Sequence, residues 1–271
     1  MSKFYFSNKN IIITGAADGL GKAISDELYD KRNNLFCVDI DEKKLKSLQI
    51  KNPSIKIFKT NLSNLKDTEN LIKELEKLNI KFDVLINCAG YEIGSLINEV
   101  PEEEFYKNFN CNFFSPFLLI KFFIQNSISE HKKKIINMVS DTAFRAIPTR
   151  TSYCSSKAAL NSLTESLRLE LKIFNIDVIN VIPPKLDTNF FKKIKYFGKL
   201  NLDKIYYSDS RPFYSHIKFS KQVIKETEKG KMFIYVFSIT KLFTFLNYLL
   251  PKVADILVEK LSSWKKIKRK I

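Results

Sequence analysis

The sequence predicts a doubly wound α/β fold, in which a mostly parallel seven-stranded sheet carries helices on both faces. Three observations support this prediction. Short apolar segments alternate with longer amphipathic ones along most of the chain, as strands do when crossover helices join them. The strand segments are almost wholly apolar, which is typical of strands covered on both faces. A glycine-rich turn follows the first strand directly, and ligands of such folds bind at that edge of the sheet.

The elements follow in order. The first strand is the β-branched segment 10–14, which ends at the glycine turn 15–21. A helix over about 20–31 comes next, and Asp39 ends the second strand, 35–38. The other predicted strands are 55–58, 82–87, 135–139, 176–182 and 232–237. The other predicted helices begin at about 41 and cover 64–79, 101–129 and 153–174. Right-handed crossovers then place helices on both faces of the sheet.

The length of 271 residues and the 45% hydrophobic content suit one large domain. We predict a single Rossmann-type catalytic domain over 1–238. Its segment 185–218 breaks the regular alternation and mixes lysine with aromatic residues, so we expect a mobile loop over a substrate cleft there. Residues 239–271 are predicted to form a C-terminal amphipathic helix and basic tail.

The formal net charge of +16 comes from lysines scattered along the chain. A composition bias explains this pattern better than nucleic-acid binding, because no base-stacking motif or DNA-reading helix is evident. We therefore expect no nucleic-acid partner. The N-terminal residues lack the apolar run of a signal peptide, and the four cysteines lack metal-ligand spacing. We therefore expect a cytoplasmic protein with reduced thiols and no metal.

A dinucleotide site is predicted at the turn Thr14-Gly15-Ala16-Ala17-Asp18-Gly19-Leu20-Gly21. Glycines let the backbone approach a pyrophosphate, and the following helix presents free N–H groups to it. The spacing is G-x-x-x-G-x-G rather than the more familiar G-x-G-x-x-G. Asp39 would accept hydrogen bonds from ribose hydroxyls and repel a 2′-phosphate, and Asp18 is a second acidic group there. These features favour NAD, although lysines such as Lys43 leave NADP as an alternative.

The chemical end of the site is predicted from Tyr153 and Lys157, which share one helix face because they are four residues apart. A neighbouring ammonium stabilises a phenolate, so Lys157 should lower the pKa of Tyr153 from about 10. The tyrosine could then donate a proton to a carbonyl or accept one from an alcohol. Ser140 ends the fifth predicted strand, where its hydroxyl could hydrogen-bond the substrate oxygen.

Together these motifs resemble the single-domain short-chain dehydrogenases/reductases, and the similarity runs from about residue 8 to 190. The glycine turn matches the cofactor loop of that family. Asn87-Cys88-Ala89-Gly90 matches its fourth-strand motif, with cysteine in place of the usual second asparagine. The resemblance implies that this motif also borders the cofactor.

The family's catalytic tetrad can be placed residue by residue. Ser140, Tyr153 and Lys157 match three of its members. The fourth is an asparagine that orders a water beside the lysine, and it falls on Asn112, with Asn110 as the nearby alternative. The resemblance also implies that Tyr153 and Lys157 contact the cofactor, Lys157 through the nicotinamide ribose.

The resemblance implies further cofactor contacts. Thr188 would meet the nicotinamide amide, in a segment that begins at Pro183. Asn61 and Leu62 would touch the adenine. Asn61 stands where the family usually has aspartate, and Pro184 stands where it usually has glycine.

We therefore predict an NAD(P)-dependent oxidoreductase that interconverts a carbonyl and a secondary alcohol of a small-molecule substrate, with Tyr153 as proton donor or acceptor. Phe and Tyr side chains in 190–214 favour an apolar substrate. The alternatives are a non-catalytic dinucleotide-binding redox sensor and a membrane-surface module. The family resemblance also implies a homodimer or homotetramer paired through the apolar helix 101–129, unless that apolar surface is buried within the monomer.

Beyond the last predicted strand, apolar residues recur at three- and four-residue steps. They are Leu242, Leu246, Leu249, Val253, Leu257, Leu261 and Trp264. This spacing predicts an amphipathic helix that restarts at Pro251 and leads into the basic cluster 265–270. Such a helix could pack on its own domain or a partner subunit, lie peripherally on the inner face of a membrane, or span the bilayer.

Overall fold

A seven-stranded parallel sheet forms the centre of the computed structural model, which describes residues 4–127, 131–198, 213–236, 247 and 249–261. The strands are β1 (Asn10–Thr14), β2 (Asn34–Asp39), β3 (Lys56–Lys59), β4 (Val84–Asn87), β5 (Ile93–Gly94), β6 (Lys133–Met138), β7 (Ile176–Ile182), β8 (Lys195–Tyr196) and β9 (Phe233–Tyr235). Their order in the main sheet is β3-β2-β1-β4-β6-β7-β9, and β5 pairs separately with β8. The predicted doubly wound fold is confirmed.

Helices cover both faces of this sheet. They are α1 (Gly19–Tyr29), α2 (Glu42–Lys51), α3 (Leu65–Lys77), α4 (Glu102–Phe109), α5 (Ser115–Ser127), α6 (Thr151–Glu170), α7 (His216–Glu228) and α8 (Pro251–Leu261). Apolar residues of α1, α2 and α7 share one core with Ile11 and Ile13, whereas those of α3, α5 and α6 share another with Ile12. Because successive side chains of a strand point to opposite faces, an unbroken apolar run such as β1 fills both cores.

The predicted continuous helix over 101–129 is wrong in one respect. A π-helical turn, Asn110–Phe114, separates α4 from α5. The amides of Asn108 and Asn112 both donate to the carbonyl oxygen of Tyr91, at 2.8 and 3.0 Å. The wider turn accommodates these buried polar contacts, and π-turns inside helices often mark functional sites.

The apolar surface of α5 and the turn before it is divided between the core and the outside. Phe122 and Phe123 are buried against the sheet. Phe114 and Phe117 are 42% and 40% exposed. Burial within the monomer therefore accounts for only part of the apolar surface that the sequence predicted there.

The predicted loop 185–218 is described only in part, because residues 199–212 lie outside the described ranges. Its first half is held at both ends. Near its start, the N–H of Asp187 donates to the carbonyl of Tyr214 at 3.1 Å, and the N–H of Tyr214 donates to the carbonyl of Lys185 at 2.8 Å. At the other end β8 pairs with β5, and the Ser95 hydroxyl donates to the Phe197 carbonyl at 3.0 Å.

The C-terminal helix α8 begins at Pro251, as the sequence predicted. Arg145 connects this region to the segment after β6: its guanidinium donates to Asn247 at 2.6 Å and pairs with Asp255. The exposed apolar residues of this region are Leu249, Leu250, Val253 and Ile256. In the described ranges, no helix has the length and apolarity needed to cross a bilayer. Leu242, Leu246, Trp264 and the basic cluster 265–270 lie outside those ranges.

Candidate active site

The glycine turn connects the carboxyl end of β1 to the first turn of α1. Asp18 is the N-cap residue of α1, and its Oδ1 accepts a hydrogen bond from the N–H of Gly19 at 2.9 Å. Leu20 packs into the core. Since the first N–H groups of a helix lack acceptors within the helix, this turn offers donors to a bound anion.

Close packing explains the glycines of the turn. A Cβ on Gly21 would lie 2.0 Å from the carbonyl oxygen of Gly15, and one on Gly15 would lie 2.9 Å from the backbone of Ala89. Gly15 also has a φ of +67°, which favours glycine. A Cβ on Gly19 would come within 3.2 Å of the Thr188 side chain. The turn therefore touches both the β4 motif and the Thr188 segment.

The motif after β4 is fastened to β1. Thr14 Oγ1 accepts hydrogen bonds from the N–H groups of Cys88 and Ala89, at 3.0 and 3.1 Å. Asn87, which the sequence assigned to the cofactor, is buried and donates to Asn137 on β6 at 2.8 Å. Its Oδ1 has no hydrogen-bond partner among the described residues. The side chain of Asn87 thus connects two strands of the sheet.

Asp39 ends β2 beside the glycine turn. Its Oδ2 accepts a hydrogen bond from the N–H of Ala17 and its Oδ1 accepts one from the N–H of Asp41, both at 3.0 Å. These bonds fix the orientation of the carboxylate. Each oxygen keeps a further lone pair with which it could accept a hydrogen bond from a ribose hydroxyl.

Asp18 has a different environment from the one that the sequence suggested. Its Oδ2 accepts from the ammonium groups of Lys44 and Lys193, each at 2.6 Å. Partial burial acts to raise the pKa of Asp18, but the two lysines outweigh it and hold the pKa below the usual value. Because its charge is paired, Asp18 contributes less repulsion toward a 2′-phosphate than Asp39 does.

The two residues predicted to meet adenine follow β3. Asn61 Oδ1 accepts from the N–H of Ser63 at 3.1 Å, which closes a tight turn. The side chain of Leu62 is 5% exposed and packs in the core, while its carbonyl accepts from Ser115 at 2.7 Å. The structure thus directs the Leu62 side chain away from solvent and leaves Asn61 partly accessible.

The segment predicted to meet nicotinamide leaves β7 at Pro183, which is half-buried. Thr188 lies against Gly19, and its Oγ1 accepts from the N–H of Phe190 at 3.3 Å. The ring centroid of Phe190 is 5.9 Å from that of Tyr153. This segment therefore joins the glycine turn to the candidate catalytic residue Tyr153.

Asn112 is fully buried in the π-helical turn. Its Oδ1 accepts from the N–H of Tyr91 at 3.2 Å, and its amide donates to Ser156 at 3.1 Å. A Cβ on Gly90 would lie 2.9 Å from Asn112 Oδ1 and 3.4 Å from Lys157 Nζ. Asn112 and Lys157 therefore border the same glycine.

Asn110, the alternative in the sequence, takes another direction. Its amide donates to the carbonyl of Ser63 at 3.0 Å, on the α3 side of the sheet. The geometry favours Asn112 as the residue next to the lysine.

Ser140 follows β6 and caps a short 3₁₀ turn. Its Oγ accepts from the N–H and hydroxyl of Thr142, at 3.2 and 2.9 Å, and donates to Asp141 at 3.1 Å. The Ser140 side chain also lies close enough to the Tyr153 phenol to influence its pKa. The serine and the tyrosine are thus brought together although they are thirteen positions apart in the sequence.

Tyr153 and Lys157 lie on the buried face of α6, where they are 8% and 4% exposed. Lys157 Nζ is 5.9 Å from the ring centroid of Tyr153 and donates to the Met138 carbonyl at 2.8 Å. Ser140, Tyr153 and Lys157 therefore converge at the carboxyl end of β6.

Burial dominates the acid–base properties of this pair. It raises the pKa of Tyr153, as does the nearby Glu92 carboxylate, while the nearby Ser140 hydroxyl acts in the opposite direction. Burial also lowers the pKa of Lys157 from 10.5 to about 8. The sequence predicted a lowered pKa for Tyr153, and this direction is wrong here because burial disfavours the charged phenolate and the Glu92 carboxylate adds to that effect.

A buried ion pair beside Tyr153 was missed at the level of sequence. Arg150 Nε lies 2.5 Å from Glu92 Oε1, and the Glu92 side chain is 1% exposed. Burial raises the pKa of Glu92 to about 7, against the opposing influence of Arg150. The only hint in the sequence is position, since Glu92 follows Gly90 by two residues and Arg150 precedes Tyr153 by three.

The described residues fit a dinucleotide. The turn places backbone where a side chain would clash, α1 presents N–H groups, and the Asp39 carboxylate is fixed beside them. Among the described residues, no cluster of His, Cys, Asp and Glu could hold a metal ion.

Comparisons with known proteins agree with this geometry. The family model for short chain dehydrogenases matches residues 9–197. An NAD-dependent glycerol dehydrogenase of Listeria innocua is 31% identical over 70% of this chain and 75% of its own length. A 3-oxoacyl-[acyl-carrier-protein] reductase of Rickettsia bellii is 30% identical over 69% of this chain and 77% of its own.

A solved short chain dehydrogenase/reductase from Burkholderia phymatum, in complex with NAD, superposes with a TM-score of 0.80. That match covers 92% of this chain and 96% of the other at 18% identity, so it supports the fold alone. The family model carries the assignment, because it spans the glycine turn, the β4 motif, Ser140, Tyr153 and Lys157. This chain is therefore an oxidoreductase of the short-chain dehydrogenase/reductase family.

Proposed function

We propose that the chain is an NAD-dependent oxidoreductase that interconverts a carbonyl and a secondary alcohol, with Tyr153 as proton donor or acceptor. The observation that carries the proposal is the convergence of Ser140, Tyr153 and Lys157 beside the glycine turn. When bound, the nicotinamide would supply or accept the hydride.

Each side chain then has a distinct role. The raised pKa of Tyr153 keeps its phenol protonated near neutral pH, which suits proton donation to a carbonyl under reduction. Ser140, within reach of the phenol, would hold the substrate oxygen and stabilise its developing negative charge.

Lys157 and Asn112 support the tyrosine. Lys157, held by its hydrogen bond to Met138, would bind the nicotinamide ribose and favour the phenolate once the proton has left. Asn112 would position a proton relay from its place beside Gly90 and Lys157. The buried amide network around it fixes its side chain.

NAD is the proposed cofactor because the Asp39 carboxylate is fixed at the end of β2, where it would accept from both ribose hydroxyls. The NAD-dependent relative from Listeria innocua supports the same choice. NADP remains the alternative, with Lys44 near the glycine turn. A thermal-shift comparison of NADH with NADPH tests this point, and a larger shift with NADPH would overturn the role of Asp39.

An apolar small molecule is the proposed substrate. The ring of Phe190 packs near Tyr153, and the rings of Phe191 and Phe213 continue the aromatic surface. The relative that reduces 3-oxoacyl groups supports an acyl chain as one candidate.

Substitution of Tyr153 by phenylalanine tests the proposal. Turnover of NADH with a panel of ketones, and of NAD with the matching alcohols, should fall by about 10² to 10⁴ in Tyr153→Phe, because the variant lacks the proton donor. Cofactor affinity, measured by protein fluorescence, should change little. Tyr106→Phe is the matched control, because this side chain is 64% exposed on α4. Undiminished turnover in Tyr153→Phe would refute the catalytic role.

The alternatives lead to different results. A non-catalytic redox sensor would bind NADH and NAD without turning over any member of the panel. A membrane-surface module would float with anionic vesicles through the exposed apolar residues of α8, and removal of 239–271 would abolish flotation. We further propose a cytoplasmic homodimer or homotetramer paired through α5, on which Phe117 is exposed.

A further inference from the structure

Two lysines from distant parts of the chain meet at the edge of the glycine turn. Lys44 comes from α2 and Lys193 from the 3₁₀ turn Phe191–Lys193, and both ammonium groups lie 2.6 Å from Asp18 Oδ2. One carboxylate thus faces two cations at the N-terminal end of α1. The side chains of Asp18 and Lys193 are 30% and 58% exposed, so this pair is accessible to solvent.

The segment that carries Lys193 crosses the whole candidate site. Thr188 packs against Gly19, and Phe190 packs near Tyr153. The N–H of Lys193 bonds to the carbonyls of Asn189 and Phe190, at 3.2 and 3.1 Å, which closes the turn and directs the chain back toward Asp18. A shift of Lys193 would therefore be transmitted within a few residues to the Phe190 ring, which lies beside Tyr153.

The arrangement of charges would allow Lys193 to exchange Asp18 for another anion. An exposed ion pair contributes only about 0 to 1 kcal/mol, so the bond from Lys193 to Asp18 is weak. The pyrophosphate of a dinucleotide carries about two negative charges, whereas a carboxylate carries one, so it attracts an ammonium more strongly at the same distance. If Lys193 left Asp18, Lys44 would still neutralise that carboxylate.

We propose that Lys193 is a cofactor-binding residue that leaves Asp18 for the pyrophosphate of the dinucleotide, and thereby couples closure of the segment 188–193 over Tyr153 to cofactor binding. This inference rests on the proposed function, because it requires a dinucleotide at the glycine turn. It adds a contact from the substrate side of the cleft to those that the turn itself provides.

Calorimetric titration with three ligands tests the contact. NADH and ADP-ribose both contain the pyrophosphate, whereas adenosine lacks it. Lys193→Gln should weaken NADH and ADP-ribose about tenfold, which corresponds to one charge-assisted hydrogen bond, and should leave adenosine unchanged. Lys193→Arg should retain most of the affinity. Lys192→Gln is the matched control, because Lys192 is the exposed neighbour in the same turn and its loss changes the net charge equally.

Hydrogen exchange tests the coupling without any turnover. ADP-ribose should slow amide exchange over 189–197 in the wild type and in Lys192→Gln, but not in Lys193→Gln. Thermal unfolding without ligand should be the same for both variants, since the ion pair is exposed.

The outcomes separate the two proposals. If the wild type binds neither NADH nor NADPH, the proposed function fails, and the role of Lys193 fails with it. If the wild type binds NADH and Lys193→Gln binds it as tightly as Lys192→Gln does, only the role of Lys193 is overturned. An equal loss of adenosine affinity in Lys193→Gln would also overturn it, because that loss cannot come from the pyrophosphate.

Discussion

Replacement of Lys157 by methionine should stabilise the cofactor-free protein while it abolishes turnover. Lys157 is 4% exposed, and burial lowers its pKa from 10.5 to about 8. This lowering of the pKa means that the folded protein spends about 3 kcal/mol of its stability to keep Lys157 protonated. Methionine has a similar length and carries no charge, so it removes this cost. The substitution also removes the hydrogen bond from Lys157 to the Met138 carbonyl. Loss of this bond costs about 1.5 to 3 kcal/mol and cancels part of the gain. The net gain at pH 7 should be about 1 kcal/mol.

The pH dependence gives the sharper test, because it isolates the titration. Below pH 8 both the folded and the unfolded chain hold the Lys157 proton, so folding bears the full cost of burying a charged lysine. Between pH 8 and 10.5 the folded chain has released that proton while the unfolded chain still binds it, so the contribution of Lys157 to stability rises with pH. Above 10.5 both states are neutral and the cost is gone. The stability of Lys157→Met relative to the wild type should therefore fall by about 3 kcal/mol from pH 7 to pH 10.5.

Urea unfolding of the two proteins without cofactor, at a series of pH values, measures this difference. Lys221→Met is the matched control, because Lys221 is exposed on α7 and should show no such pH-dependent difference. A stability difference between Lys157→Met and the wild type that stays constant from pH 7 to 10.5 would show that the lysine is not desolvated as described.

Three further changes have defined outcomes. Glu92→Gln removes a negative charge near Tyr153, so the pH at which alcohol oxidation reaches half its maximum should move downward by about one pH unit in kcat/KM profiles; a shift upward would contradict the contact. Gly21→Ala places a Cβ 2.0 Å from the Gly15 carbonyl and should lower the free energy of unfolding by at least about 1 to 3 kcal/mol in urea, whereas an unchanged midpoint would contradict the packing. Asp39→Ser removes the fixed carboxylate at the end of β2, and calorimetry should show weaker NADH binding with at least about a tenfold loss of preference over NADPH; an unchanged preference would place the discrimination elsewhere.

Much of the fold was predictable because its signals are local. The β-branched run Asn10–Thr14 was placed to the residue, since burial on both faces requires an unbroken apolar strand. The start of α8 at Pro251 was also placed correctly, because proline is well suited to the first turn of a helix. The π-helical turn Asn110–Phe114 was not predictable, because contacts to the distant Tyr91 stabilise it.

The candidate site divides in the same way. The spacing of four residues between Tyr153 and Lys157 was enough to predict their shared face. The direction of the Tyr153 pKa was not predictable, because it depends on how completely the surrounding elements exclude water. Asn87 illustrates a third case: the motif was recognised from the sequence, but only the structure shows that its side-chain amide donates to Asn137 on the neighbouring strand.

The sequence by itself determined the order of most strands and helices, the glycine turn and the candidate catalytic side chains, because periodicity and spacing act over a few residues. Only the tertiary structure decided which charges face one another. Glu92 with Arg150, and Asp18 with both Lys44 and Lys193, are pairs formed across loops of 26 to 175 residues. The interaction energies of these pairs depend on how deeply the charges are buried and how far apart they lie. Both quantities are fixed only after the chain has closed its loops and assembled the sheet.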